Sequence, residues 1–461
     1  MILPGGRLRI SGAQHAHLIE HLFPGDGLEA AAIALCSRFG ADGRIHAVRE
    51  IILVPHALCA RKRDHLVWPG ALIEKALDAA ETYGESLFLI HSHPGGLLEF
   101  SALDDASDQQ VMPGLIEAIE TTHGSAIMTA DGTMRARVYS RKGVEDVELV
   151  SIAGDDIRLC WADDRRPARP LAFTSEMTAD LARLHAFVVG VSGTGSVTAE
   201  QAYRMGFGTV GLADPDHVER KNLNRILNAT VDDATAKVPK VQMFAAASSK
   251  FAPDTRTHAF ARSVLDRDVV LATAEADVLF SCVDSHEGRQ ICDLTAATFC
   301  IPLIDMGVQI PVRGASDRQA IAGVYGRIDY VQPGGASLED RGVYSPQSVA
   351  EEHVARVAPR QHAAEVRDGY MKGRAEEAPS VIALNMRAAA AAVMEFVARA
   401  FPFRHDSNRG FARTIFDLAA GEEEHFSEDD FERRENPFLS VGLREPLLNI
   451  PALNRRLDAV A

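Results

Sequence analysis

Three short apolar runs limit most strongly what the second half of the chain can fold into: HAFVVGVSG from His185, TVGLAD from Thr209 and DVLFSCVD from Asp277. Helix-like segments separate them. Buried strands alternating with helices make a parallel sheet, because each parallel connection needs a crossover long enough to hold a helix. The first 150 residues or so repeat this texture with AAIALC, VREIILVP and SLFLIHSHP. Between the two stretches lies the charged, proline-bearing run DDIRLCWADDRRPARP, Asp155 to Pro170, which reads as a linker. The expected layout is α/β throughout, with one domain over 1–150, a linker over 151–170 and a second domain over 171–461 whose sheet is mostly parallel.

Charge and cysteine usage narrow the classes. Lys+Arg number 48 against 64 Asp+Glu, a formal charge of −16, which argues against a nucleic-acid-wrapping protein and leaves room for a small basic pocket. The six cysteines form no CxxC pair, so the expectation is reduced thiols and a cytoplasmic location. The start MILPGGRLRI lacks the apolar core of a signal peptide. The most apolar long stretch, Val381 to Phe401, is interrupted by Asn385, Arg387, Glu395 and Arg399 and is expected to be a core helix rather than a membrane span.

The string HSHPGGLLEFSALDD carries the first chemistry. The run Leu87–Ile90 is expected to be a strand, and on a strand residues i and i+2 share a side, so His91 and His93 can face one ion. Ser101 stands where a helix N-cap would, with Asp104 one turn on. Two imidazoles and a carboxylate are three ligands of a tetrahedral zinc ion with one place open for water. The plain alternative is two strand histidines beside a capping serine. His15-Ala16-His17 repeats the HxH pattern, but no carboxylate follows at a ligand-like interval, and it reads as structural.

This string resembles the JAMM motif of JAB/MPN-family metalloproteases, which cleave peptide or isopeptide bonds after ubiquitin-like proteins. The resemblance covers roughly the first 145 residues and implies a cytidine-deaminase-like α/β domain. It also implies an upstream glutamate that works through zinc-bound water, for which Glu29 is the first choice and Glu50 the second. Zinc would lower the pKa of its water to about 7, Glu29 would move the proton, and Ser101 would help hold the oxyanion.

The second constellation begins at Gly190-Val191-Ser192-Gly193-Thr194-Gly195-Ser196. Small residues let backbone approach phosphates, and the next helix offers free N–H groups. The spacing is neither the G-x-G-x-x-G dinucleotide fingerprint nor a P-loop, so a plain structural turn remains an alternative. Asp214 at the end of TVGLAD suits a ribose hydroxyl. Lys237 and Lys240 offer cations for phosphates, and Asp284 at a strand end suits Mg²⁺.

Together with D-P-D-H-V-E-R-K-N-L-N-R from Asp214, these residues resemble the ThiF/MoeB and ubiquitin-activating-enzyme superfamily over about 181–450. The resemblance implies a Rossmann-like domain that uses ATP and Mg²⁺ to adenylate the C-terminal carboxylate of a ubiquitin-like protein. The cofactor-binding residues would be Gly190, Gly193, Gly195, Asp214, Asp216, Asn222, Asn224, Arg225, Lys240 and Asp284, with Arg225 and Lys240 also catalytic and Asp284 the metal ligand. Ser192, Lys221 and Ile226 depart from the family pattern. The resemblance also implies a homodimer, into whose partner Arg166 or Arg169 would reach if they are not solvated linker charges.

Relatives often carry a zinc knuckle of two CxxC pairs. Here those places read Pro333-Gly334-Gly335-Ala336 and Asn436-Pro437-Phe438-Leu439, so no zinc is expected in the second domain. No cysteine follows Cys300 to form a thioester, and Cys282, Cys292 and Cys300 read as core. Either the domain only adenylates, or a hydroxyl of Ser337, Ser345 or Ser348 accepts the acyl group, with His353 or His362 as base.

The resulting expectation is a two-headed enzyme. One head is a zinc isopeptidase for a ubiquitin-like protein with a small-residue tail, and the other activates the same protein, tethering raising their effective concentration. Such fusions look like parts of prokaryotic ubiquitin-like modification, including antiviral defence, with a ubiquitin-conjugating-enzyme-like protein downstream and no nucleic-acid or membrane partner. Processing of a sulfur-carrier protein, and a non-catalytic scaffold binding ATP and a ubiquitin-like partner, are the alternatives.

Overall fold

The computed structural model describes residues 6–164, 166, 169–313, 320–359 and 381–454. It divides into two compact units. The first comprises 1–168 with 297–300 and 436–449, and the second comprises 169–296, 301–435 and 450–461.

The first unit is built on an eight-stranded mixed sheet. Its first strand, Gly6–Ser11, pairs in parallel both with Ile45–Leu53 and with Gly143–Ala153, which closes seven strands into a ring. The strand Ala31–Phe39 is buried on both faces. Its even positions Ala32, Ala34 and Cys36 join Phe88, Ile90 and the helix Gly12–Leu22 in one core. Its odd positions Ala31, Ile33 and Leu35 join Leu87, Leu89 and the helices Gly70–Glu81 and Ala102–Ala118 in the other. A strand with helices on both sides must be apolar at successive positions, which is why AAIALC and LFLI show no alternation.

The expected linker is corrected in part. Ile157–Trp161 forms an edge strand antiparallel to Gly143–Ala153. Ile157 and Trp161 are buried, while Asp155 and Asp156 sit in the turn before them. The neighbouring charges mask a five-residue strand when the whole run is judged by composition.

The second unit carries a Rossmann-like sheet. Strands Arg256–Phe260, Thr209–Ala213, His185–Val189, Val278–Ser281 and Leu303–Gln309 are parallel neighbours in that order. Tyr325–Val331, Arg413–Asp417 and Glu422–Phe426 extend it antiparallel. Chain order reverses at His185–Val189, so the crevice at the carboxyl end of that strand is where a ligand is expected. The helix Ile382–Ala400 buries Leu384, Ala388, Ala392, Val393 and Phe396 along one helical stripe. The polar residues within it are paired: Arg399 donates to Glu395 at 2.7 Å and lies 3.6 Å over the Tyr330 ring. No helix among the described residues is long and apolar enough to cross a membrane.

The stretch from Pro333-Gly334-Gly335-Ala336 to Tyr344 is held by carboxylates. Asp293 accepts from the Leu338 amide at 3.0 Å and from the Tyr344 hydroxyl at 2.8 Å, and Glu428 accepts from the Ala336 amide at 2.6 Å. Burial pushes the Asp293 carboxyl up to about 6, the two hydrogen bonds opposing it. A raised carboxyl favours folding while protonated, so its contribution is full below about pH 4 and is lost as pH rises through about 6. Asp293→Asn, which cannot ionise, should therefore gain on the order of 2–3 kcal/mol relative to wild type between pH 4 and pH 7. Urea unfolding of both chains at the two pH values measures this.

Candidate functional site

Strand parity builds the site of the first unit. Residues Leu87, Leu89, His91 and His93 share the face that packs on the helix Ala102–Ala118, whereas Ser92 turns to the other side and accepts from the Ala30 amide at 2.9 Å. Antiparallel register sets Ala31 opposite His91, and the Ser92 amide donates to the Ala30 carbonyl at 3.0 Å. Continued by one pair, that register puts Glu29 opposite His93 on the imidazole face.

Asp104 comes from the helix. Ser101 is its N-cap, and its hydroxyl accepts from the Asp104 amide at 3.2 Å while the Asp104 carboxylate accepts from the Ser101 amide at 2.6 Å. This reciprocal box fixes the carboxylate at the start of the helix. Its two oxygens lie 3.0 Å from His91 Nε2 and 3.6 Å from His93 Nε2, and the two Nε2 atoms are 3.0 Å apart. The ligand atoms of all three lie within 4.8 Å of one another. The Leu97 carbonyl is 2.7 Å from His93 Nδ1. A carbonyl only accepts, so Nδ1 carries the proton and Nε2 presents its lone pair to the cluster.

The charges respond as this geometry requires. Burial works to raise the Asp104 carboxyl, but the hydrogen bonds of His91 and His93 outweigh it and hold it far below the usual range. Burial works to lower His93, and Asp104 and the Leu97 carbonyl raise it. Glu29 is buried, which raises its carboxyl against the pull of the two histidines. Its backbone is pinned by the Arg61 guanidinium on its carbonyl at 2.7 Å and by the Lys62 carbonyl on its amide at 2.8 Å, contacts with no local signature in the sequence. Glu50 lies elsewhere, half exposed and paired with Arg49 at 2.8 Å. His15 is buried against the Gly132 carbonyl at 2.7 Å, and His17 is exposed.

In the second unit the glycine turn leaves the carboxyl end of His185–Val189. Gly190 has a φ of +85°, where side chains are strained, and a Cβ on it would meet the Cys282 carbonyl oxygen at 2.8 Å. A Cβ on Gly195, inside the helix Gly193–Met205, would lie 1.7 Å from the Gly190 carbonyl oxygen. The helix start can press against the turn because both positions lack side chains. Asp214 ties the turn to the next strand: its carboxylate accepts from the amides of Val191 at 2.7 Å and Asp216 at 2.9 Å. Burial raises this carboxyl, with Lys240 opposing. Lys240 opens the helix Lys240–Ser248, is itself buried, and places Nζ 2.7 Å from Asp216 and 3.6 Å from Asp214.

The remaining residues stand around this group. Asn222 accepts from the Glu219 amide at 3.0 Å and closes a short helical turn, Asn224 is exposed in the same turn, and Arg225 donates to the Lys221 carbonyl at 3.2 Å. Ile226 is buried. Asp284 is exposed three residues past the strand Val278–Ser281. Cys282 lies 3.8 Å from both Thr198 Oγ1 and Met306 Sδ, with burial pushing its thiol up to about 12, and Cys292 and Cys300 are buried. Arg166 pairs with Asp164 at 2.7 Å, and Arg169 donates to the carbonyl of Arg399 at 2.7 Å.

The three candidate hydroxyls are turn and cap residues. Ser337 donates to Asp340 at 2.8 Å, and Ser345 caps the helix Pro346–Val357 by accepting from the Ser348 amide at 3.1 Å. His353 faces Glu287 at 3.0 Å rather than a serine, and His362 lies outside the described residues. A nucleophilic serine needs a base against its hydroxyl, and His353 is not placed against any of the three.

Residues 166–396, which are 231 of the 461, match the model of the ThiF family, and the chain belongs to that family. Residues 13–140 match the model of prokaryotic homologs of the JAB domain, so a JAB-like unit precedes the ThiF unit. Among curated proteins, ubiquitin-like modifier-activating enzyme 5 of Drosophila persimilis is 31% identical over 159 residues, 32% of this chain and 38% of that protein. The sulfur carrier protein ThiS adenylyltransferase of Bacillus subtilis is 25% identical over 172 residues, 36% of this chain and 50% of that protein. The chain thus spans between a third and a half of the length of these relatives. Among solved structures, E. coli MccB with ATP matches at 14% identity and a TM-score of 0.42, covering 58% of this chain and 68% of that one.

Adding one methyl at the glycine turn tests its packing. Gly195→Ala must push the helix start away from the turn, an overpacking cost of about 1–3 kcal/mol. A thermal melt of the full chain should show the lowered transition, and ATP should raise the variant's midpoint less than that of wild type.

Proposed function

We propose that the chain is a bifunctional enzyme that hydrolyses peptide or isopeptide bonds after a ubiquitin-like protein and adenylates the carboxylate so exposed. The observation that carries the reading is the convergence of His91, His93 and Asp104 with buried Glu29 on one strand face. Two imidazole nitrogens and a carboxylate oxygen at these separations suit zinc, and the Leu97 carbonyl already orients His93 for it.

His91, His93 and Asp104 would hold the zinc, which would supply Lewis acidity and make a water nucleophilic at about pH 7. Glu29 takes the proton of the attacking water and returns it to the departing amine, a role its raised carboxyl suits. Ser101 lies beside the ligand set through its bond to Asp104, where its hydroxyl can donate to the developing oxyanion.

In the ThiF unit, the turn at Gly190 and the helix from Gly193 offer backbone N–H groups to the ATP phosphates. Asp214 keeps lone pairs for ribose hydroxyls while it holds the turn, since a carboxylate accepts about four hydrogen bonds. Lys240 and Arg225 offset charge at the α-phosphate as the substrate carboxylate attacks it and pyrophosphate leaves. Asp284, exposed at its strand end, would hold Mg²⁺, with Asp216, Asn222 and Asn224 lining the nucleotide. We propose further that the paired activities serve conjugation to proteins within a prokaryotic ubiquitin-like modification system, with antiviral defence among its uses. The likeness to the Bacillus subtilis enzyme favours a second reading, in which the substrate is a sulfur-carrier protein.

Metal analysis should find one zinc per chain, lost in His91→Ala and in His93→Ala. Glu29→Gln should keep zinc yet cleave a ubiquitin-like fusion about 10²–10⁴-fold more slowly. A metal-free wild-type chain sinks the hydrolytic half and leaves a scaffold in its place. ATP–pyrophosphate exchange with ubiquitin-like proteins should fall about 10²–10³-fold in Lys240→Ala and Asp284→Ala, and stay unchanged in Glu29→Gln. Dependence of product on a sulfur donor after adenylation would select the sulfur-carrier reading.

A further inference from the structure

We propose that Arg137 is a positioning residue for the metal centre. Its guanidinium clamps both the loop and the helix that carry Asp104, and the affinity of the His91–His93–Asp104 set for its metal depends on that clamp. The inference rests on the zinc reading above.

Arg137 projects from the strand Met134–Ser140, opposite Ser125 in the neighbouring strand. Its Nη1 donates to Asp105 at 2.6 Å, and its Nη2 and Nε donate to a single oxygen of Asp108 at 2.7 and 3.1 Å. That oxygen also accepts from the Ser125 hydroxyl at 2.5 Å and the Tyr139 hydroxyl at 2.9 Å. On its other side the guanidinium lies 3.8 Å over the Phe100 ring. One side chain thus touches positions 100, 105 and 108 and brackets the capping box of Ser101 and Asp104.

The consequence for Asp104 is geometric. Asp108 is one helical turn beyond it, so the two carboxylates belong to one rigid segment. Phe100 directly precedes the N-cap, where the chain from His93 enters the helix. Fixing both points against the sheet fixes the distance between the strand imidazoles and the helix carboxylate. Metal ligands tolerate only a fraction of an ångström of displacement, and partners that orient ligands are worth about 10–100-fold in metal affinity. Arg137 and Asp108 are also both buried, so the pair is held without competition from bulk water.

A purely structural bridge makes a different forecast. It would stabilise the metal-free and zinc-loaded chains equally and leave zinc affinity alone.

The test uses the full chain and chelator competition to obtain the zinc Kd, with melts of the metal-free and zinc-loaded forms alongside. Arg137→Met should bind zinc about 10–100-fold more weakly, with a smaller zinc-induced rise in Tm, and Arg137→Lys, which reaches one carboxylate, should fall between. Arg137→Met that folds, by far-UV circular dichroism, and binds zinc within about threefold of wild type overturns the proposal. Should Arg137→Met fail to fold, Phe100→Leu and Asp105→Asn carry the test, because both leave the buried Arg137–Asp108 pair intact. Weaker zinc binding in either supports the clamp, and wild-type affinity in both overturns it. A wild-type chain that binds no zinc defeats the zinc reading itself, which is distinct from variants matching a zinc-binding wild type.

Discussion

The two-residue period of a β-strand is the constraint from which the first unit's candidate site follows. Because Ser86–His93 is buried on both faces, each residue is committed to one core or the other. His91 and His93 therefore face the helix that brings Asp104, and Ser92 faces away to hold the neighbouring strand. A slip of one residue would bury both imidazoles in the opposite core and turn Ser92 toward Asp104. The double burial makes such a slip costly, since it would exchange every apolar side chain of the strand between two filled interiors. The convergence of these three side chains is in this sense a by-product of packing.

The same economy is visible in the ThiF unit. Asp214 does structural work by accepting the Val191 amide of the glycine turn and the Asp216 amide of its own loop, which ties the turn to the end of the neighbouring strand. The missing side chains at Gly190 and Gly195 let turn and helix touch. Lys240, buried beside Asp214 and Asp216, offsets part of their charge.

Parts of this were legible residue by residue. HxHPx6Sx2D specifies a strand end, a turn and a capped helix start, all local preferences that need no knowledge of distant chain. The βαβ texture specifies a parallel sheet for the same reason. The strand Ile157–Trp161 was hidden because five residues are outvoted by the charges around them. The choice between Glu29 and Glu50 was open because both precede or lie in apolar strands. Register across Ala31–Phe39 and Ser86–His93 brings the residues just before Ala31 beside His93, and that register pairs residues some 60 apart.

The sequence by itself determined the local devices: two imidazoles on one strand face, a serine that caps the helix of Asp104, and a glycine turn between a buried strand and a helix. Each follows from backbone preferences within about ten residues. Tertiary structure alone decided what surrounds them. It closed the ring through Gly6–Ser11 and Gly143–Ala153, set Arg61 on the Glu29 carbonyl, and laid Arg137 across Phe100, Asp105 and Asp108. Those contacts join residues with no periodic or spacing relation in the chain, and only the burial of two cores on a shared sheet brings them together.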